Sequence, residues 1–368
     1  MRTVNKLTGI LLVVGLSGTL AACGSSSKPS GSAASAIGIG PIPTSTLVAK
    51  AKAEGKVVGY GMPGYWADYQ GIWSTFSSKY GITSSYAAAG NMSSTTELQT
   101  FRAQKARPVG DVGDIGISFA PAGIQLGVLA RYKNKYWSQI PSNLKSAQGY
   151  WAAAYYGVIS FVVNTNRVKD IPTTWTDLLK PQYKGMIGMD DPRSAGEAFD
   201  AVVAAAYAFG GNVHNLMPGI KFFQQLHKSG NWNGTQSNPS NLQSGQADIA
   251  ITWNYLGASD QKTFKGNPPV KVIVPSDGTV AGPYVEVINK FAPHPYAARL
   301  LNTFLFSNAG QTLYAKGGAY PVRLPYLKLP KSVHLPKLNL STVHFLTGNL
   351  SSQQALVSKD WGPIVLGQ

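Results

Sequence analysis

Residues 56–81, KVVGYGMPGYWADYQGIWSTFSSKYG, have the pattern of a short strand, a glycine-rich turn and an amphipathic helix. The first six residues, KVVGYG, include two β-branched valines and a tyrosine before the glycine, which is typical of a buried strand that ends at a turn. The helix is predicted from apolar side chains spaced three and four residues apart, with a stop at Gly81. These side chains are Trp66, Tyr69, Ile72, Trp73 and Phe76. In open α/β sheets, ligands bind at the turn that follows such a strand.

The same alternation of strand and helix continues along the chain. GVISFVVNTNRV (157–168) and GQADIAITWNYLG (245–257) predict strands, and the segment 186–211 predicts a strand, a turn and an Ala-rich helix. Helices are also predicted before Gly55 and, as one long element, over residues 292–318. Strands that alternate with helices indicate an α/β fold with mainly parallel sheets.

The first 42 residues differ from the rest in composition. Two basic residues precede an apolar run ending at Leu20, which predicts a secretory signal peptide over residues 1–22. The run is too short to span a hydrocarbon core of about 30 Å. Cys23, the only cysteine in 368 residues, follows small residues at the cleavage position, so lipidation of Cys23 is predicted. Residues 23–42 are Gly/Ser-rich and are expected to form a flexible tether.

The chain is strongly basic, with 32 Lys and Arg against 16 Asp and Glu and a formal net charge of +16. The basic residues are scattered and form no block of like charges, so no nucleic-acid partner is expected. The excess arises as much from few acids as from many bases. Adaptation to an acidic medium and attraction to an anionic cell envelope explain it equally well.

Several short segments, in their order and spacing, resemble the type II periplasmic solute-binding proteins of ABC importers. The resemblance covers about residues 57–323 and is closest to the group that includes ferric-ion, spermidine/putrescine, thiamine and phosphonate or sugar-phosphate binders. The segments are VVGYG, GDVGDIGIS, GVISFVVNTNRV, PTTWTDLLKPQYKG, GMDDPRSAG, GQADIAITWNY, VPSDG and SNAGQTLYAKGGAYPVR.

The resemblance implies a two-lobed type II periplasmic-binding-protein fold, with a mainly parallel sheet in each lobe and crossover hinge strands. Residues 43–156 and 283–368 are expected in lobe 1, and residues 157–282 in lobe 2. The expected partners are a small solute held between the lobes, an ABC permease, and the membrane through a lipid on Cys23. No cofactor is expected, and the protein is expected to be an extracytoplasmic, membrane-anchored monomer.

Two S-x-x-E segments, Ser94 to Glu97 and Ser194 to Glu197, lie at predicted strand ends. Each is predicted to form a capping box at a helix start. A helix start carries free N–H groups and about half a positive charge, so both segments could bind an anionic group. Arg193 could add a bidentate clamp. The alternative is that each box only ends a helix, contributing about 1 kcal/mol.

The resemblance also suggests aromatic contacts at strand ends, because relatives carry such a contact at the ITWNY position. An indole face attracts a desolvated cation by about 0.5–2 kcal/mol, and packing in the core is the equally weighted alternative. The complete set of candidate ligand-binding residues is Tyr60, Met62, Trp66, Ser93, Ser94, Ser118, Phe119, Asp191, Arg193, Ser194, Trp253, Asn254, Tyr255 and Tyr284.

The kind of solute is narrowed by two departures from relatives. Ferric-binding relatives carry paired tyrosines at the ITWNY position, whereas this chain has only Tyr255 there and its Tyr155–Tyr156 pair lies in a crossover strand. Polyamine binders place a carboxylate where this chain has Tyr284, and few acids are expected in the cleft. The resemblance therefore favours an anionic or zwitterionic solute, such as a phosphonate or a phosphorylated metabolite. A cationic solute (polyamine, thiamine or ferric ion) is the alternative.

Two function classes other than transport have less support. A secreted hydrolase is not favoured, because the sequence has no G-x-S-x-G, HExxH or Walker motif. Asp190 and Asp191 are adjacent, but neighbours in a strand point to opposite faces, so a catalytic pair is not expected. A cell-envelope-binding protein is supported only by the positive charge.

Overall fold

The computed structural model describes residues 37–86, 92–333, 335, 337–339 and 341–368. The predicted signal peptide, Cys23 and most of the tether lie outside the described residues. The first part of the fold comprises α1 (Thr44–Glu54), β1 (Lys56–Tyr60), α2 (Tyr69–Tyr80), β2 (Thr83–Tyr86), α3 (Ser94–Ala103), β3 (Val112–Gly116), a 3₁₀ turn (Ile117–Phe119) and α4 (Ala120–Gln125).

The strand-turn-helix unit predicted over residues 56–81 is confirmed as β1 and α2. The apolar side chains at the predicted helical spacing, Ile72, Trp73 and Phe76, are buried on the inner face of α2. The helix ends at Gly81, whose left-handed φ of 66° lets its N–H bond to the carbonyl of Ser77. β1 pairs in parallel with β2 on one side and with β3 on the other.

The middle of the chain adds a second set of strands and helices. They are the 3₁₀ turns Trp137–Gln139 and Ser142–Leu144, β4 (Trp151–Asn164), the 3₁₀ turns Thr176–Leu179 and Pro181–Tyr183, β5 (Ile187–Gly188), α5 (Gly196–Ala208), α6 (Met217–Lys228), α7 (Pro239–Ser244), β6 (Ile249–Trp253), α8 (Asn254–Phe264), β7 (Val270–Ile273) and β8 (Thr279–Ile288).

The strands follow the order β2-β1-β3-β8-β4-β6-β5. β4 is antiparallel to β8 from Trp151 to Val158, and from Ile159 to Val163 it pairs instead with β6. Among the described residues, every antiparallel pair includes β4 or β8, while β1 with its neighbours and β5 with β6 pair in parallel. The predicted α/β fold, with crossover strands joining two sets of strands, is confirmed.

The last part of the chain departs from the predicted single helix. It contains α9 (Pro295–Leu305), α10 (Asn308–Lys316), β9 (Tyr320–Pro321), a 3₁₀ turn (Leu324–Tyr326), β10 (Val343–Phe345), α11 (Ser351–Asp360) and a π-helical turn (Trp361–Leu366). The helix predicted over residues 292–318 is divided because the Ser307 hydroxyl accepts the N–H of Gly310, starting a new helix.

The C-terminal residues contact the part of the chain expected in lobe 2. The ring of Trp361 lies 5.5 Å from that of Phe223 and 5.8 Å from that of Trp232. Helix α11 also contacts the 3₁₀ turn after β3. The division of residues between the lobes stays a prediction.

Trp175 illustrates how the core is held together. Its side chain is fully buried, with its ring 5.1 Å from that of Phe161 and 5.5 Å from that of Phe222. Its indole N–H donates to the carbonyl of Gly278 at 2.8 Å, which ties the residue to the start of β8. The side chain therefore combines apolar burial with a satisfied polar atom.

We expect Trp175→Ala to lower the free energy of unfolding by about 3–5 kcal/mol, because it leaves a large cavity and an unpaired carbonyl. Urea unfolding followed by circular dichroism would measure this. Tyr326→Ala is the matched control, since that side chain is 55% exposed, and it should change stability by less than about 0.5 kcal/mol. Equal losses for the two variants would contradict the prediction.

Candidate functional site

A cleft of about 760 Å³ lies between the two sets of strands. One wall is formed by the loop after β1, the start of α3 and the strand β3. The other wall is formed by the loop between β5 and α5, the start of α5 and the start of α7. The lining residues are Gly61, Pro63, Tyr65, Trp66, Met92, Ser93, Ser94, Glu97, Asp114, Asp190, Asp191, Ser194, Ala195, Gly196, Glu197, Gln236, Asn238, Pro239, Ser240, Asn241 and Tyr284.

The structure brings some of the predicted site residues together along this cleft. They come from separate parts of the chain: the turn after β1, the start of α3, the loop before α5, and β8. Those that line the cleft are Trp66, Ser93, Ser94, Asp191, Ser194 and Tyr284.

Four predicted residues on the β1 and β3 side lie behind the cleft wall. Tyr60 is buried against Phe101, and its hydroxyl donates to Gln104 Oε1 at 2.7 Å. Met62 is fully buried under the turn, while Ser118 and Phe119 are buried in the 3₁₀ turn after β3. Their positions are explained by packing in the core, and they do not line the cleft.

The residues predicted at the ITWNY position also lie behind the wall. Trp253 is fully buried, and its indole N–H lies 3.4 Å from the Tyr284 hydroxyl. Asn254 accepts the N–H of Val158 at 2.9 Å through Oδ1, which leaves its side chain in a structural role. Tyr255 is fully buried, with its ring 5.6 Å from that of Trp66. These residues support the lining residues Trp66 and Tyr284.

The first predicted capping box is not formed. Ser93 rather than Ser94 caps α3, accepting the N–H of Thr96 at 3.2 Å. The Ser94 hydroxyl accepts the N–H of Gly116 at 3.1 Å, and Glu97 Oε2 accepts the N–H of Asp114 at 3.1 Å. Both side chains therefore hydrogen-bond α3 to the backbone of β3 and do not cap their own helix.

The second predicted capping box is also wrong. Ala195 precedes α5 and supplies no side-chain cap, while the Ser194 hydroxyl lies 3.4 Å from the carbonyl of Asp191. Arg193 does not line the cleft. Its guanidinium forms a bidentate pair with Asp191, with Nη2 to Oδ2 at 2.6 Å and Nε to Oδ1 at 2.9 Å. The predicted clamp is therefore engaged by a carboxylate of the protein itself.

The cleft is rich in acids, contrary to expectation. Five of the 16 Asp and Glu of the chain line it, namely Glu97, Asp114, Asp190, Asp191 and Glu197. Among its described lining residues there is no Lys or Arg. Asp190 and Asp191 both line it because they lie beyond the short β5, so the strand alternation that separates neighbouring side chains does not apply.

Glu97 and Asp114 form a buried acidic pair on the α3 and β3 wall. Burial raises the pKa of both carboxyls well above the usual range, and the nearby Glu286 raises the pKa of each further. The Tyr155 hydroxyl donates to Asp114 Oδ2 at 2.6 Å and accepts the indole N–H of Trp66 at 2.7 Å. Burial therefore shifts both carboxyls toward the protonated form.

Asp190 and Glu197 form the acidic pair of the opposite wall. Burial is the main cause that raises the pKa of each, and their carboxyls share a hydrogen bond. Tyr284 donates its hydroxyl to Glu197 Oε2 at 3.3 Å. In contrast, the bidentate contact with Arg193 lowers the pKa of Asp191, so this carboxylate is charged. The described residues contain no group of three or more His, Cys, Asp or Glu arranged to hold a metal ion.

Residues 111–348 match the family model described as bacterial extracellular solute-binding protein. The chain belongs to this family. An uncharacterized protein of Haemophilus influenzae is 28% identical over 256 residues, covering 66% of this chain and 70% of the relative. A putative 2-aminoethylphosphonate-binding periplasmic protein of Salmonella typhimurium is 22% identical over 249 residues, covering 66% of this chain and 70% of the relative.

Solved structures show the same fold. The periplasmic binding protein AfuA from Actinobacillus pleuropneumoniae, with fructose-6-phosphate bound, has a TM-score of 0.67 at 22% identity and covers 84% of this chain and 98% of its own. A putative spermidine/putrescine ABC transporter from Listeria monocytogenes has a TM-score of 0.62 at 14% identity, with 83% and 98% covered.

Family membership makes this chain a solute-binding component of an ABC transporter. It implies a small-molecule solute and a permease as partners and an extracytoplasmic location, and members of the family are binding proteins. Within the described part of the chain, no helix has the length and apolar character needed to cross a membrane.

Some lining residues were missed by the sequence reasoning, although signals for them exist. The S-x-x-E spacing predicts Glu97 and Glu197 only as helix caps, and strand alternation predicts that Asp190 and Asp191 point to opposite faces. The segment 236–241 carries a further signal. Its Asn238-Pro239 pair is a helix-start signal, and Asn238 Oδ1 does accept the N–H of Asn241 at 2.8 Å.

The buried acids predict a particular pH dependence of stability. Glu286 accepts the hydroxyls of Tyr69 and Tyr314, but burial raises its pKa to about 7. The folded state then binds more protons than the unfolded state between about pH 4.5 and 7, so stability falls as pH rises through this range. Replacing Glu286 by Gln removes one titrating group.

We therefore expect the unfolding free energy of Glu286→Gln to fall less steeply between pH 5 and 8 than that of the wild type. The difference between the two slopes should correspond to at most about one bound proton. Urea unfolding at four pH values in this range would measure it. Asp170→Asn, at an exposed position, should leave the wild-type slope unchanged. A Glu286→Gln slope identical to that of the wild type would refute the assignment.

Proposed function

We propose that this chain captures a small zwitterionic solute in the cleft and delivers it to the permease of an ABC importer. The observation that carries this proposal is the composition of the cleft, where acidic side chains and two helix starts line a single space. Carboxylates bind an ammonium group, and helix N–H groups bind an anionic one. A solute with both groups uses both features.

The anionic end of such a solute is best accommodated near Ser94 and Gly196. These residues begin α3 and α5, helices of 10 and 13 residues, and both line the cleft. The first N–H groups of a helix lack acceptors within the helix, and the dipole adds about half a positive charge. The relative named as a putative 2-aminoethylphosphonate-binding protein and the fructose-6-phosphate-bound structure are consistent with a phosphonate or phosphate at this place.

A purely cationic solute is the second candidate. It is favoured by the five acids of the cleft and by the lack of Lys and Arg among its described lining residues. It leaves the two helix starts without a partner of opposite charge, and for this reason we prefer the zwitterion.

Closure of the two walls on the solute is the proposed signal to the permease. A Cβ atom placed on Gly116, at the end of β3, would lie 3.6 Å from Gly196 Cα at the start of α5. The walls therefore already approach each other at this point. Solute that contacts both walls would bind the closed arrangement more tightly and shift the population toward it.

Thermal unfolding with matched small molecules tests the proposal. We expect 2-aminoethylphosphonate to stabilise the protein, by about 2.7 kcal/mol at 100 times its dissociation constant. Ethylphosphonate and ethylamine, which each lack one charged group, should stabilise it less. Greater stabilisation by spermidine, thiamine or ferric citrate would favour the cationic alternative. Salt-sensitive binding to envelope polymer with no small-molecule effect would favour an envelope-binding protein, and turnover of an ester panel would favour a hydrolase.

We also propose that Cys23 carries a lipid that holds the mature chain at the membrane. The support is the sequence, in which an apolar run and small residues precede a single cysteine. The Gly/Ser-rich residues that follow would allow the folded domain to reach its permease.

Replacing Cys23 by Ser should release the full-length protein from the membrane fraction of expressing cells, because the acceptor of the lipid is lost. Fractionation and detergent phase partition would detect the change. Ser25→Ala, at the second residue after the cysteine, is the control and should remain membrane-bound. Equal membrane association of the two variants would rule out the anchor.

A further inference from the structure

A small recess of about 20 Å³ adjoins the cleft. Tyr65, Trp66, Asp190 and Glu197 line both spaces, so the recess lies directly beside the cleft. Its other lining residues include Ser237, Thr252 and Asp260. About 10–15 Å³ of such volume is enough for one water molecule. The recess can therefore hold a group with a single heavy atom.

Three oxygen-bearing side chains of the recess are buried and poorly satisfied. Ser237 Oγ and Thr252 Oγ1 have no hydrogen-bond partner among the described residues. The two residues are only 7% and 4% exposed, so bulk solvent does not satisfy these atoms either. Burial raises the pKa of Asp260 to about 7, and no hydrogen bond or nearby cation offsets the burial. Buried polar atoms without partners are costly, so their clustering around one space indicates a missing partner.

We propose that this recess receives the primary ammonium group of the solute, held by Asp260, Ser237 and Thr252. The inference rests on the proposed function and assigns one end of the zwitterion. A primary ammonium has three N–H donors and no acceptor. The recess offers a carboxylate and two hydroxyl oxygens, which match the three donors in number and charge.

The walls of the recess limit which cations enter. Trp66 is fixed by its indole N–H, which donates to the Tyr155 hydroxyl at 2.7 Å. With Tyr65 it places aromatic rings beside the recess. A quaternary ammonium group carries four carbon substituents and exceeds the available volume. The recess therefore selects a primary ammonium over bulkier cations.

Entry of the ammonium is accompanied by loss of a proton from Asp260 when the pH is below about 7. The proton passes to solvent, and the ammonium keeps its own three protons. The other titratable groups that face the recess are Tyr65, Asp190 and Glu197. Ionisation of Asp190 or Glu197 at higher pH also favours the binding of a cation. Binding of the ammonium should therefore tighten as the pH rises.

Thermal unfolding of the full mature chain with ethylammonium chloride tests the recess without knowledge of the natural solute. At pH 8, about 100 mM of this probe should raise Tm by about 2 °C over the same concentration of sodium chloride. Ethanol and tetraethylammonium chloride should have no such effect. The dissociation constant of ethylammonium should fall about tenfold from pH 6 to 8, because the ionised fraction of Asp260 rises about tenfold.

Variants locate the effect. Asp260→Asn and Thr252→Val, which keep the side-chain shape, should each abolish the shift, whereas the exposed Asp170→Asn should retain it. The proposal would be overturned if the Tm shift persists in both recess variants, if ethanol reproduces it, or if the wild type shows no shift. The recess would then be a water site. Failure of the proposed function would give a different result. Ethylammonium would still bind, but 2-aminoethylphosphonate would stabilise the protein no more than ethylphosphonate or ethylamine does.

Discussion

The antiparallel pairing of β4 with β8 is the constraint on which the site depends. Near the end of this pairing Gly157 faces Gly282. A Cβ atom on Gly282 would lie 2.2 Å from Cη2 of Trp253, and one on Gly157 would lie 2.5 Å from Cε1 of Tyr255. Only glycine lets both aromatic rings lie directly on the crossover strands. These rings in turn support Trp66 and Tyr284, which line the cleft.

The second feature of the site is the free-energy cost of burying acidic side chains in and beside it. Asp114 and Glu286 lie near one another in the core, and hydroxyls of Tyr155, Tyr69 and Tyr314 satisfy part of their hydrogen-bonding capacity. One oxygen of each carboxyl still lacks a partner among the described residues. Burying charged carboxylates in this way is unfavourable, and burial accordingly raises the pKa of both acids.

The order of strands and helices could be predicted from sequence because it depends on local periodicity and on glycine stops such as Gly81. The cleft could be located for a similar reason, since turns after parallel strands meet at one edge. The function of individual side chains could not be predicted. Glu97 has the spacing of a cap, yet its carboxyl bonds to β3, and only the tertiary packing of α3 decides between these partners. Likewise Trp253 ends a strand, but burial beneath Tyr284 follows from the crossover geometry.

The chain as a whole is strongly basic, whereas five acidic side chains and, among the described lining residues, no Lys or Arg line the cleft. A net charge of +16 favours the approach of anions at long range. Screening over about 8 Å at physiological salt weakens this long-range field, so the groups that line the cleft determine the local contacts of a solute. The two walls also differ, because one carries Glu97, Asp114 and the start of α3 at Ser94, whereas the opposite wall carries Asp191 and the recess. A molecule with one positive and one negative end, as proposed above, is compatible with both the long-range field and the local contacts of the cleft.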